Sequence, residues 1–250
     1  MISGLRLAVL YGIYPHRFGF CGPQDDLAKR TLRNFLLKPK EYENETEKIL
    51  KGFEAAYAYY KLIARANAIK DPFDERVVRA YWVGNNLLEK VSPKALAKMI
   101  LTDFIKPGLL KKSLALKKAE KVEIGAMPHH SFHVFIIGSI TGRITLNEKL
   151  MDLCRVGWGK IINDVNLQMA SGRFKNEKLI VEYQPIVKNK KFFRGKSIKK
   201  EISCNRELLP KIKKGDWISF HWNNAIETLS RENLQNLKKY TAQTLNLLNG

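Results

Sequence analysis

Five histidines and three cysteines are the residues in this 250-residue chain best suited to metal binding or nucleophilic chemistry. His129, His130 and His133 stand together in PHHSFHVF. On a strand, His129 and His133 share a face and His130 points the other way; on a helix, His129 and His133 again share a face, at i,i+4. Either arrangement offers a pair of imidazoles to a metal, but neither brings a third ligand or the glutamate of an HExxH pattern. Plain structural hydrogen bonding is the competing role for all three. Cys154, in DLCRVGWGKI, and His221, in DWISFHWNNAIETL, form a second candidate pair. A thiolate and an imidazole at a strand end can hold a soft or borderline metal such as iron, or serve as nucleophile and base.

Cys21, in FGFCGP, sits between aromatic residues and a Gly-Pro turn, on the kind of loop that often carries a site. A buried, inert thiol is its plainer reading, and the same reading suits Cys204 in KEISCNREL. Three cysteines without CxxC spacing are too few for a disulfide framework or a structural zinc site. That usage fits a cytoplasmic setting. No signal-peptide pattern and no apolar stretch of membrane-spanning length is seen.

These residues need a scaffold, and the pattern of apolar positions implies an α+β chain in two parts. Over residues 1–120 the spacing is helical. Helices are expected at Asp25 to Leu37, Glu45 to Ala68, and Phe73 to Val83. Ser92-Pro93 supplies an N-cap with proline at the first helical position, and a basic helix follows in LLKKSLALKKAEK. A helical bundle is the simplest assembly of this part. Over residues 121–250 the period changes to two, with strands expected in VEIGAM, SFHVFIIG, GKIINDV, LQMASGRF, KLIVEY and DWISFHW. Short strands of this kind imply a small antiparallel barrel or a strongly bent sheet. Ser230 then opens a C-terminal helix that packs back on the body.

The formal net charge is +20, from 44 Lys and Arg against 24 Asp and Glu, yet 45% of residues are hydrophobic, which excludes a disordered chain. The charge gathers in Leu110 to Lys121 and in Lys188 to Lys200, which is read as a long loop. There, six Lys and one Arg surround Phe192 and Phe193. Lys190, Lys191, Phe192, Phe193, Arg194 and Lys196 are the expected partner-binding residues. They would meet an acidic protein partner or, alternatively, nucleic acid, tracking phosphates and stacking bases.

Cys154-Arg155-Val156-Gly157-Trp158-Gly159-Lys160-Ile161 resembles the opening signature of the small nickel-iron hydrogenase assembly chaperones. Gly215-Asp216-Trp217-Ile218-Ser219-Phe220-His221-Trp222-Asn223-Asn224-Ala225-Ile226 resembles their second signature, in the same order. The resemblance covers residues 153–230. It implies an OB-like barrel, iron carrying cyanide and carbonyl ligands, and the immature hydrogenase large subunit or other maturation proteins as partner. By the same resemblance Cys154 is the iron contact, His221 its companion and Asp216 the turn leading to it, with Trp222 and Asn223 beside them; His129, His130, His133 and Cys21 are further candidates. The whole chain also resembles a longer prokaryotic family of unknown function, some of whose members occur near hydrogenase genes. The expectation is therefore an accessory or maturation factor, chaperone-like rather than enzymatic. An uncharacterised cysteine- and histidine-dependent enzyme is the alternative.

Overall fold

The computed structural model describes residues 2–106, 108–122, 125–165 and 176–250. Ser3 opens the first helix, α1 (Gly4–Arg17), by accepting from the Arg6 amide, which satisfies one of the donors that a helix start leaves unpaired. Apolar residues run nearly all round α1, so it lies inside the molecule with Leu7, Val9 and Tyr11 fully covered. Around it stand α2 (Asp26–Leu37), α3 (Pro39–Lys51), α4 (Glu54–Ala66), α5 (Glu75–Trp82), α6 (Pro93–Asp103) and α7 (Lys112–Ala119). Ser92 caps α6 as its sequence implies. The single helix expected over Glu45 to Ala68 is two. The break comes at Gly52, where a Cβ would lie 2.7 Å from the Pro23 ring, and at Phe53, whose ring turns into the core.

The next helical pieces are α8 (His130–Phe132), which runs into a π-helical turn at His133–Ile137, and α9 (Glu148–Cys154). The strands follow: β1 (Gly157–Val165), β2 (Asn176–Tyr183), β3 (Ile186–Asn189), β4 (Lys191–Arg194), β5 (Ile198–Asn205), β6 (Trp217–His221) and β7 (Asn224–Thr228). β1 pairs with both β2 and β6, giving the cyclic order β1-β2-β5-β7-β6, while β3 and β4 form a separate hairpin. The ring surrounds a small apolar cluster that includes Val181, Ile202 and Ile218. The last helix, α10 (Arg231–Asn249), returns to the helical body. Tyr240 lies against Gly84, at φ 97°, where a Cβ would meet the ring at 2.2 Å, and donates to the Asn85 carbonyl. One large core joins α1 and α4 to α6 with Trp158 of β1, Ile226 of β7 and Leu237 of α10.

The expected fold class needs correction. Helices run to Cys154, so the chain is mainly helical rather than a bundle followed by a barrel that begins at residue 121. The strands are not an antiparallel unit, because β5 meets β7 in parallel through Ser203 and Asn224. Nor do they stand apart, since the faces of β1 and β7 complete the helical core. The expected OB-like barrel domain over 121–250 is therefore replaced by a five-stranded closed ring built into a mainly helical chain. SFHVFIIG is helical and π-helical, not a strand: its consecutive apolar residues satisfy either period, and the His129 side chain caps the turn by accepting from the Ser131 amide. VEIGAM is no strand in its described residues, and LQMASGRF lies outside the described residues. The basic segment is not a loop but β3, β4 and the start of β5, with Lys190 in the left-handed region (φ 51°) at the hairpin turn. Among the described residues no helix is long and apolar enough to cross a membrane.

Candidate metal centre

Cys154 is the last residue of α9, and the residue after it fixes its place. Arg155 is 1% exposed, and its Nε donates to Asp152 Oδ1 at 2.9 Å. Its remaining guanidinium donors reach the carbonyls of Val156 and Gln184. Asp152 in turn accepts from the Tyr183 hydroxyl and the Ile186 amide. A buried charge is tolerated only when paired and hydrogen-bonded in this way. The clamp therefore holds the junction of α9 and β1 in one geometry.

His221 ends β6, just before a tight turn at Trp222 and Asn223, both in the left-handed region (φ 51° and 59°). The Trp222 amide donates to the Leu153 carbonyl at 3.1 Å, which draws the turn against α9 and sets His221 opposite Cys154. His130 arrives from the first residue of α8. One ring nitrogen of His130, one of His221 and the Cys154 Sγ lie within 4.8 Å of one another. Bonds of about 2.0–2.3 Å to a tetrahedral ion set ligand atoms roughly 3.5 Å apart, so the three groups need only a modest contraction to share one.

The outer contacts suit that use. His221 Nδ1 stands 2.7 Å from the Tyr11 carbonyl, which can only accept, so a ring proton on Nδ1 would be donated there and leave Nε2 bare. His130 Nδ1 stands 3.0 Å from the Tyr81 hydroxyl. Partners of this kind on the far nitrogen orient a metal-binding imidazole. Tyr11 is itself fixed, its hydroxyl bonded to Ser219 and to Glu227, which pairs with Arg79. Both Nε2 atoms point at the carbonyl oxygen of Cys154, at 2.8 Å from His130 and 2.5 Å from His221.

Burial governs the charge states. It lowers His130 well below the ordinary imidazole value, with His221 and His133 adding to the effect, and lowers His221 to about 4. Neutral imidazole is the form that ligates a metal. Burial pushes the Cys154 thiol up, reinforced by nearby Cys21, while the Trp222 indole N–H favours the thiolate. The Cys154 Sγ lies within 4.8 Å of a ring nitrogen of each imidazole, while both Nε2 atoms face the Cys154 backbone oxygen.

A cavity of about 60 Å³ opens beside the cluster, lined by Cys154, His130, His133, His221, Cys21, Tyr81 and Trp222 together with apolar side chains such as Phe20, Phe53 and Ile140. Glu54 reaches its wall, where it accepts from the Gly22 amide and pairs with Arg143.

The sequence candidates separate accordingly. Cys154 and His221 come together as a pair. His130, which sequence placed among the lesser candidates, completes the cluster in place of His129 and His133. His133 lines the cavity, 3.5 Å from the Tyr59 hydroxyl, and burial lowers it to about 3. His129 is outside, stacked on Tyr240. Cys21 lines the cavity with its thiol raised by burial to about 12. Cys204 packs inside the strand ring. Asp216 holds the turn before β6 by accepting from the Lys213 amide, and Asn223 belongs to the turn after it. Of the expected partner-binding residues, Phe192 packs beside Phe135 while Phe193 is 46% exposed. Arg155, Tyr11 and Tyr81 escaped the sequence reading, since nothing in their spacing marks a tyrosine carbonyl or hydroxyl as a histidine's partner.

Two functional expectations are corrected. A buried His-Cys-His cluster beside a cavity argues against a chaperone-like protein without enzymatic chemistry. The labels of hydrogenase maturation and of an iron-cyanide-carbonyl carrier are likewise unsupported, because the cluster fits a metal in general terms only. A family model described as "Family of unknown function (DUF6390)" matches residues 1–250. No curated protein and no solved structure matches the chain.

Proposed function

The chain belongs to that family along its whole length, and on the geometry of its buried cluster we propose that it is a metal-dependent enzyme acting on a small molecule. His130 and His221 supply nitrogen and Cys154 supplies sulfur to one transition-metal ion. The single observation that carries this reading is the convergence of three ligand atoms within 4.8 Å on a cavity wall. Two imidazoles and a thiolate suit zinc and the neighbouring borderline metals. Three protein side chains rather than four is the pattern of catalytic sites, which keep a position for water or substrate. When bound, such a metal polarises an oxygen of the substrate or lowers the pKa of a coordinated water towards 7.

The chain's own residues do the rest. Tyr11 and Tyr81 orient the imidazoles, Arg155 and Asp152 hold the thiol, and Phe20, Phe53 and Trp222 exclude bulk water from the cavity. At about 10–15 Å³ per water-sized occupant, a volume of 60 Å³ admits a substrate portion of only a few non-hydrogen atoms. Titration of the metal-free protein with cobalt(II) tests the reading. One equivalent should produce the visible bands of a four- or five-coordinate site and a thiolate-to-cobalt charge-transfer band in the near ultraviolet. Cys154→Ala should lose the charge-transfer band, and His130→Ala and His221→Ala should weaken binding. A folded protein that takes up no cobalt overturns the proposal.

A further inference from the structure

His221 stands between two carbonyl oxygens, Tyr11 O at 2.7 Å from Nδ1 and Cys154 O at 2.5 Å from Nε2. A neutral imidazole carries one ring proton, and a carbonyl can only accept. One of the two contacts is therefore left lone pair to lone pair, and with the proton on Nδ1 that contact is Nε2 against the Cys154 oxygen. His130 Nε2 converges on the same oxygen at 2.8 Å. A cation among these atoms turns the repulsion into attraction.

The oxygen is available for that role. Cys154 ends α9, and Arg155 leaves the helix with an extended backbone (φ −66°, ψ 155°). The Cys154 carbonyl therefore belongs to the last turn, where no helical amide follows to bond it and the helix dipole places partial negative charge. The Arg155 clamp fixes the peptide plane on the other side.

We infer that the backbone carbonyl oxygen of Cys154 is a fourth protein ligand, so that Cys154 chelates the metal through both Sγ and O and the centre has two nitrogens, one sulfur and one oxygen. The inference rests on the metal reading proposed above and adds a donor that no side-chain motif reveals. The chelate ring runs through the metal, Sγ, Cβ, Cα, C and O. The nitrogen-to-oxygen gaps, 2.5 Å from His221 and 2.8 Å from His130, need to widen by about 1.0 and about 0.7 Å to reach the roughly 3.5 Å spacing around a tetrahedral ion. With a fourth protein donor in place, substrate or water binds as a fifth ligand from the cavity side, an expansion that catalytic zinc sites permit.

Isotope-edited infrared spectroscopy of the full chain tests this, with [1-13C]cysteine incorporated and zinc(II) alone added. The Cys154 13C=O band should move to lower frequency on zinc binding, since coordination weakens the carbonyl bond. The carbonyls of Cys21 and Cys204 serve as internal references, and a Cys21→Ala/Cys204→Ser variant leaves Cys154 as the sole labelled residue. Zinc bound through sulfur and two imidazoles by X-ray absorption, with the carbonyl band unmoved or moved to higher frequency, overturns the inference and leaves the metal site standing. Nitrogen-15 shifts of a doubly protonated His221 at neutral pH in the metal-free protein also overturn it, because a proton would then satisfy both carbonyls. Failure of zinc to bind a folded protein overturns this inference together with the reading beneath it.

Discussion

His130 and His221 reach one backbone oxygen from rings whose centroids lie 5.2 Å apart and whose planes cross at 86°. Two imidazoles on elements far apart in sequence meet this way only because α8 and the β6–β7 turn both dock on the end of α9. The cluster is thus a product of tertiary packing, and its supporting residues are testable separately from its ligands.

Tyr81→Phe removes the hydroxyl that partners His130 Nδ1 but leaves the ring in the aromatic core. Loss of such an outer partner weakens metal affinity by about 10–100-fold. Competition against a chromophoric chelator should show that loss, with the thermal midpoint changed far less than by His130→Ala.

Arg155→Met leaves Asp152 as an uncompensated buried carboxylate. Breaking a buried pair from one side costs about 3–5 kcal/mol, readable as a lower urea midpoint. The double variant Arg155→Met/Asp152→Leu should recover part of that loss, since the stranded charge is gone. If the single variant is as stable as wild type, Arg155 does not fix the Cys154 junction.

His129 and His130 are neighbours with opposite roles. His129→Ala removes the side-chain cap on the Ser131 amide, and a lost cap costs about 1 kcal/mol, yet metal stoichiometry should stay at the wild-type value. His130→Ala should abolish tight metal binding. The reverse pattern in elemental analysis would restore the pairing of His129 with His133 that the sequence suggested.

His133 supplies a pH dependence. Burial, with Lys118 nearby, lowers it to about 3, whereas an unfolded histidine titrates near 6.5. Between these values the unfolded chain binds the extra proton, so stability rises with pH. The contribution is full above about 6.5 and is lost progressively as pH falls towards 3, at about 1.4 kcal/mol per pH unit. Denaturation of the metal-free protein across that window should show a slope smaller by about one proton in His133→Asn. An unchanged slope would mean that His133 is not buried as a neutral group.

The helical starts were readable because their caps are local: Ser92 and Ser230 bond the amides that their sequence positions imply. The period-two strands of KLIVEY and DWISFHW were readable for a similar reason, since each alternates between the ring interior and its surroundings. SFHVFIIG was not, because an unbroken apolar run fits strand and helix alike and its cap is a histidine, not one of the usual capping residues. The Lys188 to Lys200 segment hid its strands behind its charge: exposed lysines on a hairpin look like a loop when only composition is weighed. At the site, Cys154 and His221 could be paired from sequence because strand-end chemistry was expected there. His130 could not be preferred to its neighbours, since its role depends on where α8 docks. The carbonyl of Cys154 carries no side-chain signature at all.

Elemental analysis of the anaerobically purified protein tests the central claim most directly. The wild-type chain should carry about one equivalent of a transition metal per chain, or bind one on reconstitution. Cys154→Ala, His130→Ala and His221→Ala should each lose it, while His129→Ala retains it. A folded wild-type chain that neither carries nor takes up a metal, or the three cluster variants binding it as tightly as wild type, would contradict a His130-Cys154-His221 metal centre.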